Sequence, residues 1–69
     1  MQELNHSLTK REMEIIQLIS EGRTNIEIGV HLHLSTETIS KHRKNILGKL
    51  KLKNTAMLMR YAFVNKLIS

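Results

Sequence analysis

The 69-residue sequence contains no cysteine, no proline and no tryptophan. Without cysteine, neither a disulfide nor a thiolate metal site can stand in for a hydrophobic core. Without proline, no apolar run is broken from within. Aspartate is absent as well, all six acids being glutamate, which excludes a phospho-accepting aspartate and any catalytic arrangement that requires one. Only Tyr61 and Phe63 are aromatic. With no sustained apolar–polar alternation either, strand signals are missing. No apolar run approaches the ~20 residues needed to cross a bilayer, and the opening MQELNHS lacks the apolar stretch of a signal peptide. The expectation is a soluble cytoplasmic protein of one domain. A chain this short buries only about 60% of its unfolded surface, which leaves little room for an enclosed catalytic pocket.

What the sequence does have is unevenly placed positive charge. The formal net charge is +5 and the isoelectric point is near 10.0. Residues 1–37 hold all six glutamates against three basic residues, whereas residues 38–69 hold eight Lys and Arg and no acid. A half-chain of one sign attracts polyanions, although a merely solvated basic face has the same composition.

Periodicity sharpens the reading. Thr9-Lys10-Arg11-Glu12 has capping-box spacing and opens a helix over roughly residues 9–21, flanked by Leu8 and Met13 as a hydrophobic staple and stopped by Gly22. Thr24-Asn25-Ile26-Glu27 repeats the box and opens a second helix, with Ile28 and Leu32 on one face. Gly29 lies inside it at a cost of ~1 kcal/mol against alanine, which predicts a close helix–helix contact there. Ser35 caps a third helix, and Asn54 caps a fourth that runs to about Lys66. The link between the second and third is only about residues 33–35, so these two cross steeply as a helix-turn-helix. The predicted fold is all-α, a four-helix helix-turn-helix domain over residues 8–69 behind a tail of residues 1–7.

On a wheel of ~100° per residue, Ile46 and Leu50 fall within ~20° of Ile39 and Leu47 lies ~80° away, forming the buried stripe of the third helix. The opposite side carries Glu37, Lys41, Lys44 and Gly48, flanked by Thr38, Ser40 and Asn45, with no bulky apolar residue. Such a face suits the major groove, where lysine donates to guanine, asparagine can pair adenine and serine is permissive. Lys49, Lys51 and Lys53 follow at the helix end, where cations favour both the dipole and nearby phosphates.

The motifs L8-T9-x-R11-E12-x-x-I15-I16-x-L18-I19-x-x-G22, T24-N25-x-E27-I28-G29 and L34-S35-x-x-T38-I39-x-x-H42-x-x-N45-I46-x-x-K49-L50 resemble the LuxR/FixJ-type (GerE-like) DNA-binding domain of bacterial transcription regulators. The resemblance continues through N54-T55-A56 and A62 to L67-I68 and covers about residues 8–68. It implies a four-helix module whose third helix enters the major groove and whose fourth helix pairs two subunits on two half-sites. By position, it places base reading on Ser40, Lys41 and Lys44. It places phosphate contacts on Thr24, Asn25, Thr36, Thr38, His42, Arg43, Asn45 and Lys49. Family members often sit behind a receiver or an autoinducer-binding domain, and this sequence contains neither. Four positions depart from the family's habits: Gly29 stands for its usual Ala, Ser40 for a frequent Lys, Thr55 for a common Arg, and Lys66 for a frequent Gly.

Other chemistries fare worse. His31 and His33 point ~200° apart on a helix and cannot share an ion, so no metal and no cofactor is expected. His42, about 60° from the buried stripe, can pack the turn, donate to a phosphate, or do both. Glu12 is explained by its capping box, and Ser40 lacks a base and an oxyanion hole, so the chain does not read as an enzyme. The fourth helix carries two apolar stripes. Leu58, Met59 and Ala62 form one. The other has Ala56, Met57, Val64 and partly Tyr61 and Phe63; Ala56, Met57, Arg60, Tyr61 and Val64 are read as an isologous dimer contact, with packing of this stripe against the first helix as the alternative. The expected partner is double-stranded DNA, bound by a homodimer in the bacterial cytoplasm and nucleoid, with RNA polymerase as a further candidate. No membrane and no small-molecule ligand within this chain is expected. A polymerase-contacting adaptor for an acidic partner, and a module like region four of primary sigma factors, stay open as alternatives.

Overall fold

A computed structural model describes residues 8–69; the expected tail, residues 1–7, lies outside them. Four helices follow one another: α1 (Lys10–Ser20), α2 (Asn25–Leu32), α3 (Thr36–Leu50) and α4 (Thr55–Val64). The described residues contain no strand.

Each helix starts where its side chains can satisfy the exposed backbone donors of the first turn. Thr9 and Glu12 close a reciprocal capping box at α1, with Glu12 N–H donating to Thr9 Oγ1 at 3.0 Å and Thr9 N–H to Glu12 Oε1 at 2.9 Å. Thr24 and Glu27 do the same at α2. Ser35 Oγ accepts from Thr38 N–H at α3, and Asn54 Oδ1 from Met57 N–H at α4.

The ends share a different device. Gly22, His33, Lys51 and Lys66 take positive φ, of 85°, 61°, 58° and 59°. Beyond each, an amide reaches back to a carbonyl five residues earlier: Arg23 to Leu18, Leu34 to Gly29, Leu52 to Leu47 and Leu67 to Ala62. This is the Schellman arrangement, in which glycine normally takes the left-handed position. Here three of the four are side-chain-bearing residues, and the leucine after each of these packs against the core. Turning at Lys66 also stops α4 at Val64, two residues short of expectation, and lays Leu67 and Ile68 against the core.

The core comprises Ile15, Ile16, Leu18 and Ile19 of α1, Ile28 of α2, Ile39 and Ile46 of α3, and Leu58 and Ala62 of α4. Helix α1 is buried on so broad a face because it packs against all three other helices. Gly29 corrects one expectation. A methyl group there would lie 2.5 Å from the Leu34 carbonyl oxygen, so glycine admits the turn's own backbone rather than a neighbouring helix.

Candidate nucleic-acid interface

The left-handed turn at His33 aims α3 across α2 and leaves one face of α3 open. Ser40, Lys41, Lys44 and Asn45 are exposed on it, as are Thr36 and Glu37 at its start. Thr38 is half-buried, with its hydroxyl 2.8 Å from that of Ser35. Thr24 and Asn25 stand at the start of α2, where Thr24 Oγ1 accepts from Glu27 N–H at 3.2 Å. Lys41 and Lys44 add charge to the open face, and nothing apolar interrupts it.

Two cations expected at phosphates are engaged inside the fold. Lys49 Nζ lies 2.8 Å from Oε1 of Glu12, a carboxylate only 4% exposed, and so ties the last turn of α3 to the first turn of α1. Arg43 donates from Nη1 to Asn25 Oδ1 at 3.0 Å and from Nη2 to Thr55 Oγ1 at 2.7 Å, bridging the starts of α2 and α4. Asn25 Nδ2 donates in turn to Ser40 Oγ at 3.1 Å. Thr55, where the family commonly has Arg, is thus the seat of a guanidinium supplied from α3.

Burial pushes the Glu12 carboxyl up, but hydrogen bonds from Lys49 and the Thr9 amide, with the charges of Lys49 and His42 behind them, hold it below the usual carboxylate range. Sequence reasoning gave Glu12 only its capping role. The available signal was on the α3 wheel, where His42 and Lys49 share the edge next to the buried stripe. Glu21 is also held low, chiefly by hydrogen bonds from Gln17 and Arg23.

On α4 the two stripes separate as the wheel implies. Leu58 and Ala62 are buried, while Met57 is 41% and Val64 63% exposed. Met57, Arg60, Tyr61 and Val64 line one open groove with Leu52 and Asn65; Ala56 is exposed outside that lining. Phe63, partly on the expected outer stripe of α4, is exposed, as are Ile26 and Val30 on α2, which the sequence reading did not single out for the surface. Among the described residues, no group of three or more His, Cys, Asp or Glu side chains is placed to hold a metal ion. No helix among them is long and apolar enough to cross a membrane.

The family profile described as bacterial regulatory proteins, luxR family, matches residues 6–62. The chain belongs to the LuxR family. Its relatives include the transcriptional regulatory protein LiaR of Bacillus subtilis, 45% identical over 65 residues that cover 94% of this chain and 31% of that protein. The response regulator protein VraR of Staphylococcus aureus is 42% identical over 66 residues, covering 96% of this chain and 32% of that protein. The chain therefore spans about a third of the length of the curated relatives it matches. A LuxR-family helix-turn-helix is a DNA-binding module of transcription regulation and not an enzyme, and the four-helix fold is the one the sequence implied.

Proposed function

We propose that this LuxR-family module binds double-stranded DNA in a sequence-dependent way, as a dimer, with α3 in the major groove. Ser40, Lys41 and Lys44 contact base edges. Thr24, Asn25, Thr36, Thr38, His42, Arg43, Asn45 and Lys49 contact the sugar–phosphate backbone. Ala56, Met57, Arg60, Tyr61 and Val64 meet their equivalents across a two-fold axis. By likeness to its relatives, the module serves as the output domain of a longer regulator, acting at the bacterial nucleoid. The observation that carries this reading is the open face of α3: polar, doubly lysine-bearing, and presented by a three-residue turn from a second capped helix.

Duplex affinity should fall with salt at a log–log slope of about −0.9 per phosphate neutralised. Lys41→Ala and Lys44→Ala should each relax base preference, at ~1–3 kcal/mol on the best site. Lys49→Ala should weaken specific and random duplexes alike, because a phosphate contact carries no base information. Binding insensitive to salt, or equal losses on both duplexes for Lys41→Ala, would contradict the assignment.

A further inference from the structure

We infer that the hydrogen-bonded chain Thr55–Arg43–Asn25 fixes the Ser40 hydroxyl as an outward donor, so that the domain selects a hydrogen-bond acceptor on the base edge Ser40 faces. The inference rests on the proposed placement of α3 in the major groove and goes beyond it, from which residue reads to what it reads.

The polarity follows from chemistry rather than from any observed proton. A guanidinium can only donate, so the Asn25 amide atom 3.0 Å from Arg43 Nη1 must be the oxygen. Its nitrogen then faces Ser40, 3.1 Å away, and an amide nitrogen can only donate. Ser40 Oγ is therefore the acceptor in that bond. One lone pair is taken, and the hydroxyl proton is the group that must find a partner when the interface closes. The usual outlet for a helical serine is the carbonyl four residues earlier. Ser40 makes no such bond among the described residues; its hydroxyl is bonded to Asn25. Arg43 is itself fixed at its other nitrogen, 2.7 Å from Thr55 Oγ1, so turning the amide over would set its NH2 group against the guanidinium and lose that bond.

A donor at this place matches guanine O6, thymine O4 or a purine N7, and mismatches the N4 amino group of cytosine. The chain thus makes Asn25 and Arg43 positioning residues for base choice, in addition to any phosphate they meet. It also supplies a polarity that a lone serine lacks, since a free hydroxyl both donates and accepts.

Asn25→Asp tests the polarity. A carboxylate still accepts from Arg43 but cannot donate, so Ser40 must turn its proton inward and offer only lone pairs to the base. Sites would be selected from a randomised duplex pool with the wild type, Ser40→Ala, Asn25→Asp and Arg43→Gln, each checked for cooperative melting. The wild type should disfavour cytosine at one base pair per half-site by about fivefold, the worth of one neutral hydrogen bond. Ser40→Ala should erase that preference. Asn25→Asp should reverse it toward cytosine or adenine at the same pair and leave the other pairs unchanged, whatever its overall affinity. Arg43→Gln, which can donate or accept, should relax it without reversal and serves if Asn25→Asp does not fold. Preference lost in Ser40→Ala but unchanged in both of the other variants overturns the inference. Preference unchanged in Ser40→Ala overturns instead the base-reading role of Ser40 proposed above.

Discussion

Glu12 and Lys49 show how one partly buried contact can carry an acid sensitivity. The Glu12 carboxyl titrates lower in the folded chain than in the unfolded one, so the folded state binds fewer protons through that window. Its contribution is therefore full above the ordinary glutamate range near pH 4.3 and is lost as pH falls through the lower folded value. Lys49→Met keeps the length of the side chain and removes the partner. Burial then opposes only the Thr9 amide and the His42 charge, so the Glu12 carboxyl rises from its low folded value. Urea unfolding should show the wild type losing this stability only as pH falls below about 4.3, and the variant less stable at neutral pH with a shallower loss in acid. Parallel pH profiles would mean that the ion pair does not set the Glu12 titration. The same variant also separates two tasks of Lys49, because its folding and its affinity for random DNA are measured independently.

At the scale of elements, the α2–α3 turn is the tightest joint in the molecule. Alanine normally favours a helix over glycine by about 1 kcal/mol. At Gly29 its methyl group would sit 2.5 Å from the Leu34 carbonyl, which as backbone can move only by opening the turn. Gly29→Ala should therefore destabilise the domain by about 1 kcal/mol, read as a lowered urea midpoint at unchanged m-value. A raised midpoint would show that the turn yields freely. The helix starts were legible in sequence because a cap is a local event: Thr9, Thr24, Ser35 and Asn54 each find their partner three residues on. The open face of α3 was legible for the same reason, since a wheel needs only one helix. The bonds from Arg43 to Asn25 and Thr55, and from Lys49 to Glu12, span 18, 12 and 37 residues; a wheel sets Lys49 at the edge of the α3 stripe, but no single helix names the partner. Gly29 was legible as a close approach but not as to whom, because sequence marks the missing side chain and not the atom that fills its place.

At the scale of the whole domain, the described residues extend 32 × 21 × 20 Å, the long axis close to the ~34 Å of one turn of B-DNA. The dimer proposed above would set its two α3 helices in successive major grooves. The exposed groove on α4 is one short helix wide, far from the ~1,600 Å² of a standard interface. The free domain should sediment as a monomer at low micromolar concentration and pair on DNA, where adjacent half-sites raise its effective concentration. Val64 is 63% exposed, so Val64→Glu should fold within about 0.5 kcal/mol of the wild type. Gel shifts should show it keeping single-half-site affinity and losing cooperativity on paired sites. Unfolding would assign Val64 to the core, and unchanged cooperativity would move the dimer contact off this groove.

The positive φ angles at His33, Lys51 and Lys66 place three ordinary residues where mirror-image ones belong. A chain of 69 residues is within reach of total chemical synthesis, so chirality can be edited one centre at a time. D-lysine at position 66 would keep the charge and the side chain while relieving a penalty of roughly 1–2 kcal/mol. Glycine there would relieve the same strain but also loosen the unfolded chain, so it should stabilise less. Melting temperatures ordered D-lysine, then glycine, then L-lysine would measure separately the handedness and the freedom of this one backbone position.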